Sequence, residues 1–558
     1  MKDNATMNAA EITGFIKSGG PLTKKISLAK DGSIFSDGSG CVMSAGEAFR
    51  IPITDVKQLA ELIGKLKPNE AIALGALRAG LSDHVKVVTR NKLNGVARAD
   101  LIARTAADLA YREKQPAFAL LDSDSKGMPA DVAAEIDRLG GFWPALLSVL
   151  PTLHDVARVA RRSTSAGLFR SDTKEKLPGS NNLHTYAAVR DGSDIERFLK
   201  ALHDRCWLAG MGWMMVGAGG QLLERAIIDR SVGGPERLVF EGGPILQAPL
   251  AQDQESRRPI DTDGKALDTL SACPPLTIVE KTKLRELIAK AKYQIAPEAA
   301  KVRAAFIEQQ ARRTVERTGM SMSAAKRVVE RQCHGILLPA ILLPFDNPDV
   351  ADCTVADVLA DPQRFDGATL ADPLEGVGYG RCKAMIMIPS DGTPWINSFA
   401  HGGIVYQLKF DAASVRAAMG RADDKDVVKT LVDLAVAADL DKAEQEELRN
   451  EASKRSGVNK RTISAMLKAA KEDHAAERAN QERKRREAER SDPRPLIRTP
   501  AIDAPWLPQV LVLDGVIGSS SDAKPPARDI DGFTTRARKL PVPGTHAFTD
   551  ANSEEELP

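Results

Sequence analysis

The feature that most constrains the fold is an apolar run that ends in two carboxylates. Residues 116–121 read Pro-Ala-Phe-Ala-Leu-Leu. Asp122 and Asp124 follow, and Gly127 and Pro129 come next. The run predicts a buried strand, and the glycine and the proline predict the turn that ends it. Because residues i and i+2 of a strand share a face, the two aspartates are expected side by side, about 5–7 Å apart.

Two carboxylates at this spacing repel each other by roughly 3 kcal/mol at an effective dielectric constant of about 20. A cation between them would relieve this repulsion, and hard carboxylate oxygens favour Mg²⁺ or Mn²⁺ with waters and substrate phosphates as further ligands. This is the chemistry of nucleotidyl transfer. The alternative is a polar turn in which Asp122 and Asp124 cap backbone amides, and an isolated pair of this kind is more often such a turn.

The composition bounds the organisation of the chain. Its 558 residues are too many for one ordinary core and predict two to four folded units. The net charge is only +2, so nucleic-acid binding would depend on local basic surface. The six cysteines contain no C-x-x-C pair, which argues against a zinc ribbon or a disulfide framework. With no apolar leader and no run of membrane length, we expect a cytoplasmic protein without a membrane partner.

Two more segments carry polar side chains beside predicted strands. His184 begins a run to Val189 that alternates like a strand, although a histidine here is more often structural. Asp229 follows the apolar run over 221–228, so it is again an acid at the end of such a run. Helical spacing predicts helices at five further places: Val56 to Leu66, Arg98 to Arg112, Ala130 to Leu139, Trp143 to Leu150 and Thr152 to Ala160.

The mixture of predicted strands and helices along the chain predicts an α/β (α+β) protein of five parts. These are a catalytic domain over 1–265, a helical module over 266–345, a small α/β module over 346–411, a helical region over 412–490, and a proline-rich linker or disordered tail over 491–558. In the helical module, Pro297 and Gly319 are predicted to break the helices.

The helical region resembles a helix-turn-helix around Gly457, with Arg455, Lys460 and Arg461 as predicted DNA-phosphate contacts. An ordinary α-hairpin has the same order of helix, glycine turn and helix. In the small α/β module, the segments 372–376 and 398–402 are similar to a segment found between primase and helicase modules in mobile-element proteins. The safer interpretation there is a hairpin with a structural His401, and the alternative is a second active site.

The order of the motifs resembles that of the archaeo-eukaryotic primase, or primase-polymerase, superfamily, and most of all its plasmid, phage and prophage members. The matching elements are Asp-x-Asp after a strand at Asp122 and Asp124, polar-x-His before a strand at Asn182 and His184, and one acid after an apolar run at Asp229. They cover roughly residues 20–265. The family usually has serine where this chain has Asn182, and Ser163 or Ser165 is a candidate to replace it.

This resemblance implies a primase-like core with an RRM-like sheet. It implies that the catalytic and metal-binding residues are Asp122, Asp124 and Asp229. The nucleotide-binding residues that we predict are His184, Ser163, Ser165, Arg225 and Arg237. Arg230 is a further candidate for the charge that develops on phosphate, and for each arginine the alternative is a surface salt bridge.

The implied function is a nucleotidyltransferase of the DNA primase/polymerase type. It would synthesise primers on a single-stranded DNA template from (d)NTPs with two Mg²⁺ or Mn²⁺ ions, in the replication of mobile elements. The sequence contains no G-x-x-x-x-G-K-[ST] phosphate loop, so we expect no intrinsic ATPase and a separate replicative helicase as partner. The alternatives are a non-catalytic DNA-binding replication accessory and a metal phosphoesterase, but the latter gives His184 and the arginines no shared purpose.

Overall fold

The computed structural model describes residues 9–93, 99–123, 125–177, 182–388, 393–400, 403–490, 510–513 and 516–519. Two of the predicted residues, Asp124 and His401, lie outside these ranges. The chain divides into the units Met1–Leu467 and Lys468–Pro558. Strands and helices are mixed along the sequence, so the broad α/β class that the sequence predicted is confirmed. Among the described residues, no helix is both long and apolar enough to cross a membrane.

Strands predominate before residue 265. They are β1 (Ala10–Lys17), β2 (Lys25–Leu28), β3 (Ile34–Asp37), β4 (Gly46–Ile53), β5 (Glu70–Ala73), β6 (Ala76–Leu77), β7 (His84–Val87), β8 (Leu101–Ile102), β9 (Leu109–Ala110), β10 (Ala117–Asp122), β11 (Arg158–Arg162), β12 (Leu168–Arg170), β13 (Leu183–Val189), β14 (Gly212–Val216), β15 (Leu222–Ala226), β16 (Leu238–Val239), β17 (Ile245–Leu246), β18 (Leu250–Gln252) and β19 (Ile260–Thr262). The helices between them are α1 (Val56–Lys65), α2 (Ala130–Leu139), α3 (Phe142–Val149) and α4 (Ile195–Leu208).

Helices predominate after residue 265. They are α5 (Thr269–Ala272), α6 (Ile278–Thr318), α7 (Met322–Cys333), α8 (Val355–Ala360), α9 (Ala412–Arg421), α10 (Val427–Ala437), α11 (Lys442–Ser456) and α12 (Lys460–Arg490). The strands are β20 (Ile336–Leu337), β21 (Thr369–Leu370), β22 (Ala384–Met387), β23 (Trp395–Ser398), β24 (Ile404–Leu408), β25 (Val510–Leu513) and β26 (Val516–Ser519).

Strand β10, which ends at Asp122, lies in a four-stranded sheet with the order β10-β13-β11-β19. The apolar residues of β10 are all buried, as the sequence predicted. Phe118 belongs to the same core as Leu59 of α1, Leu146 of α3 and Phe198 of α4. Burial of such side chains stabilises the fold by about 1.5–3 kcal/mol each, so the strand that carries Asp122 has a rigid support.

Five strands that precede β10 in the chain, together with β16, form a six-stranded sheet with the order β16-β5-β1-β4-β7-β8. Its central pair is antiparallel, with Ala10 opposite Ile53. The last strand in chain order, β16, pairs with β5 and so returns residues 238–239 to this sheet. Glu241 is the second residue after β16, which makes this return important for the site described below.

Two of the predicted helices are wrong. The described part of Arg98 to Arg112 forms the short strands β8 and β9, because Ile102 pairs with Val87 of β7 and Leu109 pairs with Leu77 of β6. The stretch from Thr152 to Ala160 contains one 3₁₀ turn and then enters β11 between β13 and β19. In both places pairing with distant strands overrides a local helical spacing of apolar residues.

The predicted break at Pro297 is also absent, because α6 continues through it to Thr318. Proline removes the N–H that would bond to the carbonyl of Tyr293. Tyr293 is 83% exposed, so water can reach this turn of α6 and hydrogen-bond to the carbonyl that lacks its helical partner. Gly319 does end α6, and its left-handed φ of 73° suits the C-cap.

The strands between residues 336 and 408 form a five-stranded sheet with the order β20-β24-β23-β22-β21. Its core includes Phe306 of α6 and Val329 of α7. We call residues 369–408 of this sheet the small-sheet module. In the second unit, β25 and β26 pair in antiparallel fashion. The predicted division into five domains stays a prediction.

Candidate active site at the end of the four-stranded sheet

The structure brings together the two described aspartates and the predicted histidine. Asp122 is the residue directly opposite His184 in the antiparallel pair of β10 and β13. On the other side of β10, Ser123 forms an antiparallel bridge with Ile228. The backbone N–H of Asp229 donates to the backbone carbonyl of Asp122 at 3.0 Å. Residues that are more than 100 positions apart therefore meet at one end of one sheet.

The predicted serines lie at the same end of the sheet. Strand β11 ends just before Ser163, whose N–H donates to the carbonyl of Asn182 at 2.9 Å. The Ser163 and Ser165 hydroxyls are 3.3 Å apart. The Ser125 hydroxyl donates to the side-chain oxygen of Asn182 at 2.6 Å, which ties the loop after Asp122 to the start of β13. Asn182 therefore acts as a hydrogen-bonding partner within the site, although the family usually has serine at that position.

A buried carboxylate that the sequence did not reveal holds the imidazole of His184. Glu241 is completely buried, and its Oε1 lies 2.6 Å from Nδ1 of His184. The other ring nitrogen, Nε2, lies 3.7 Å from Oδ1 of Asp122. With Nδ1–H donating to Glu241, the Nε2 edge of the ring faces the aspartate and the open side of the site.

Glu241 is itself the centre of a charged network. Its Oε2 lies 3.2 Å from Arg161 and 3.7 Å from Arg257, both of which are buried. The Tyr186 hydroxyl donates to Oε1 of Glu241 at 2.6 Å. The two guanidiniums also donate to backbone carbonyls, Arg161 to Arg257 at 2.9 Å and Arg257 to Ser163 at 3.0 Å. Buried charges need such pairing to be tolerated.

The network shifts the pKa values of its members in opposite directions. Burial alone would lower the pKa of His184, but the Glu241 carboxylate, its hydrogen bond and Asp122 outweigh burial and raise it above 6.5. Burial would raise the pKa of Glu241, but His184 and Arg161 hold it below 4.5. Burial and the neighbouring Arg161 lower the pKa of Arg257 to about 10 against the attraction of Glu241. These shifts favour an ionised Glu241 beside an imidazolium.

The carboxylates suit a hard divalent cation. The side chain of Asp122 is 27% exposed, and Asp229 lines an open cavity. Among the described residues, no group of three or more His, Cys, Asp or Glu side chains is arranged to hold a metal ion. The third predicted carboxylate, Asp124, is outside those residues. One or two carboxylates, with waters and substrate phosphates, are the usual surroundings of Mg²⁺, so the side chains of Asp122 and Asp229 are of the chemical type that such an ion prefers.

A cavity of about 710 Å³ adjoins Asp229. The predicted nucleotide-binding residues Arg225 and Arg237 line one side of it, and Tyr379 and Lys383 of the small-sheet module line another. Arg225 is hydrogen-bonded to Tyr379. Arg237 is exposed and donates to the carbonyl of Ser231 at 2.9 Å. The two predicted arginines thus face the same space as one of the two aspartates.

Arg230 lines the same cavity but also lies near two carboxylates. Its guanidinium lies 3.6 Å from Glu224 and 3.9 Å from Asp204. Glu224 also pairs with Lys292 of α6 at 3.0 Å. The structural alternative is therefore the better description of Arg230.

No family model, curated protein or solved structure matches this chain. The resemblance to primase-polymerases therefore rests on the motifs themselves, and their meeting in space is the observation that bears on function.

The predicted DNA contacts differ in their surroundings. Arg455 pairs with Asp424 at 2.8 Å and donates to the carbonyl of Ala422, so it fastens α11 to the end of α9. Lys460 and Arg461 are exposed at the start of α12. Arg455 therefore has a structural role, whereas the side chains of Lys460 and Arg461 are exposed to solvent.

Three residues of the site were missed by sequence reasoning: Glu241, Tyr379 and Lys383. Glu241 follows β16 without any pattern that marks it as buried, since its partners come from distant strands. Tyr379 and Lys383 lie about 150 residues after Asp229, in a module whose position no local signal predicts.

Proposed function

We propose that this chain is a DNA-dependent nucleotidyltransferase of the primase-polymerase type. It synthesises primers on single-stranded DNA from (d)NTPs with Mg²⁺ or Mn²⁺ in the replication of mobile elements, in the cytoplasm and with a separate helicase. In this proposal the sheets before residue 265 are the primase-like core, and the four-stranded sheet is its RRM-like part. The main support is the meeting of Asp122, His184 and Asp229 at one sheet end.

In this proposal, the acidic and the basic side chains at this sheet end have different roles. Asp122 and Asp229, with Asp124 as the predicted third acid, hold the metal ions, which supply Lewis-acid activation of the attacking hydroxyl and the phosphate. His184 presents Nε2 to the nucleotide phosphates, because Glu241 holds Nδ1 and raises the pKa of the ring. Arg225 and Arg237 line the cavity beside Asp229 and neutralise the charge that develops on phosphate.

Incorporation of a labelled nucleotide on an unprimed single-stranded template tests this proposal. We expect wild-type protein to extend product only with Mg²⁺ or Mn²⁺. We expect Asp122→Ala and Asp229→Ala to lose about a hundredfold or more, because each removes a ligand of the metal that stabilises the transition state. The thermal midpoint of each variant shows whether it is folded.

Asp131→Asn is the matched control, because Asp131 is an exposed acid in the first turn of α2 and makes none of the contacts described for the site. It should retain wild-type activity. A wild-type protein that binds DNA but incorporates nothing would instead support the non-catalytic accessory.

A further inference from the structure

Lys383 and Arg237 come from separate parts of the chain and lie beside the cavity, and Lys24 lies near Lys383. Lys24 lies close enough to repel the charge of Lys383, and it also acts on His184. In the part of the chain that the structure describes, none of the three makes an ion pair with a carboxylate. Like charges gathered in this way repel one another, so an anion is the natural occupant of the space between them.

The burial of Lys383 also favours an anion beside its ammonium group. Burial lowers the pKa of its ammonium group, and Lys24 and then Arg237 lower it further. The ammonium lies 5.9 Å from the ring centroid of Tyr379, a weak contact that leaves its charge uncompensated.

The small-sheet module has a hydrogen-bonded centre and is attached to the turn between β14 and β15. Asp372 is completely buried and accepts hydrogen bonds from the Ser398 hydroxyl at 2.6 Å and the Tyr406 hydroxyl at 3.0 Å. It also accepts from the N–H of Glu375 at 2.8 Å. Glu375 in turn accepts from the N–H of Ala218 at 3.1 Å, in the turn between β14 and β15. Asp372 is thus a structural centre, which favours the structural interpretation of this module.

Tyr379 connects the module to both acid-bearing segments. Its ring lies 4.1 Å from the ammonium of Lys126, in the loop that follows Asp122. Its hydroxyl is hydrogen-bonded to Arg225, which lies on β15 ahead of Asp229. Lys383 is therefore placed by a module that already contacts the loops on which the metal-binding acids lie.

Backbone contacts of the loop between β1 and β2 fix the position of Lys24. The ammonium of Lys17 donates to the carbonyls of Pro21 and Gly40, both at 3.0 Å, and so holds the two ends of this loop together. The carbonyl of Lys24 accepts from the N–H of Ile245 at 2.9 Å, close in sequence to Glu241. The backbone of Lys24 is thus fixed beside the start of β17.

We propose that the small-sheet module completes the nucleotide site, and that Lys383, with Lys24 and Arg237, binds the triphosphate of the incoming nucleotide. This inference rests on the proposed function, because it assigns the substrate contacts of that same site. Lysine is a point-charge partner of phosphate and needs no fixed plane. Three cations match the several charges of a triphosphate better than the charge of a monophosphate.

Calorimetric titration of the full chain with dATP and with dAMP, in Mg²⁺ and without DNA, tests the inference. We expect Lys383→Ala and Lys24→Ala each to weaken dATP binding about tenfold or more and dAMP binding much less. Lys383→Arg should largely restore the affinity, because it keeps the charge. Arg381→Ala and Lys25→Ala are the matched controls, since both remove an exposed cation beside the tested lysine, and both should bind dATP like wild type.

Primer synthesis measured on the same preparations separates the two proposals. If wild type synthesises primers but the lysine variants bind dATP as well as it does, the inference is overturned and the function stands. If the lysine variants lose dATP binding while wild type incorporates nothing, the inference stands and the function is overturned. If wild type does not bind dATP at all, the inference is overturned directly.

Discussion

Glu241 shows how a single residue sets the chemistry of this site. It is completely buried, yet it is ionised because His184, Arg161 and Arg257 surround it. The four groups form a charged cluster directly behind the sheet end that carries Asp122. Within that cluster Glu241 both compensates the two arginines and fixes which edge of the His184 ring is presented.

Glu241→Gln is therefore expected to destabilise the protein by about 3–5 kcal/mol, because it leaves Arg161 and Arg257 buried without a counter-charge. The thermal midpoint, measured by differential scanning calorimetry, should fall clearly. Glu255→Gln is the control, since Glu255 pairs with Arg258 at 3.2 Å on an exposed surface and its removal should change little. Equal midpoints for the two variants would contradict the role given to Glu241.

At the scale of elements, the β14–β15 hairpin supports the loop that follows Asp122. The indole N–H of Trp213 donates to the carbonyl of Lys126 at 3.3 Å. Gly127 has a left-handed φ of 65°, and a Cβ there would lie 2.8 Å from the side chain of Met215. The turn after the acids therefore needs glycine both for its backbone conformation and for the close approach of β14.

Gly127→Ala is expected to displace the acid-bearing loop and to lower nucleotide incorporation by about ten- to a hundredfold, because small misplacements of a catalytic group are costly. Gly80→Ala is the matched control: Gly80 has a similar φ of 88°, but a Cβ there meets nothing within 4 Å. Backbone strain alone would affect both variants equally. Similar incorporation by both would show that the contact with Met215 does not position the acids.

The parts of the structure that the sequence predicts are those set by local patterns. The buried strand that ends at Asp122 and the helix over Ala130–Leu139 follow from apolar periodicity and from turn residues. The helix expected near Arg98 fails because its apolar residues pair with distant strands.

At the site, too, only the residues that stand in local sequence patterns could be predicted. Asp122, His184 and Asp229 stand in recognisable contexts beside strands, so their meeting could be anticipated from motif order. Glu241 lies in the site because of the strand order, and Lys383 lies there because the small-sheet module contacts the turn between β14 and β15. No single stretch of sequence predicts either arrangement.

For the whole molecule, the central claim is that Asp122 and Asp229 share one metal site although more than 100 residues separate them. Electron paramagnetic resonance of Mn²⁺ titrated into wild type, Asp122→Asn, Asp229→Asn and the control Asp131→Asn measures this directly. We expect both site variants to weaken Mn²⁺ binding by about tenfold or more and the control to bind like wild type. Unchanged Mn²⁺ affinity in either site variant would contradict a shared site.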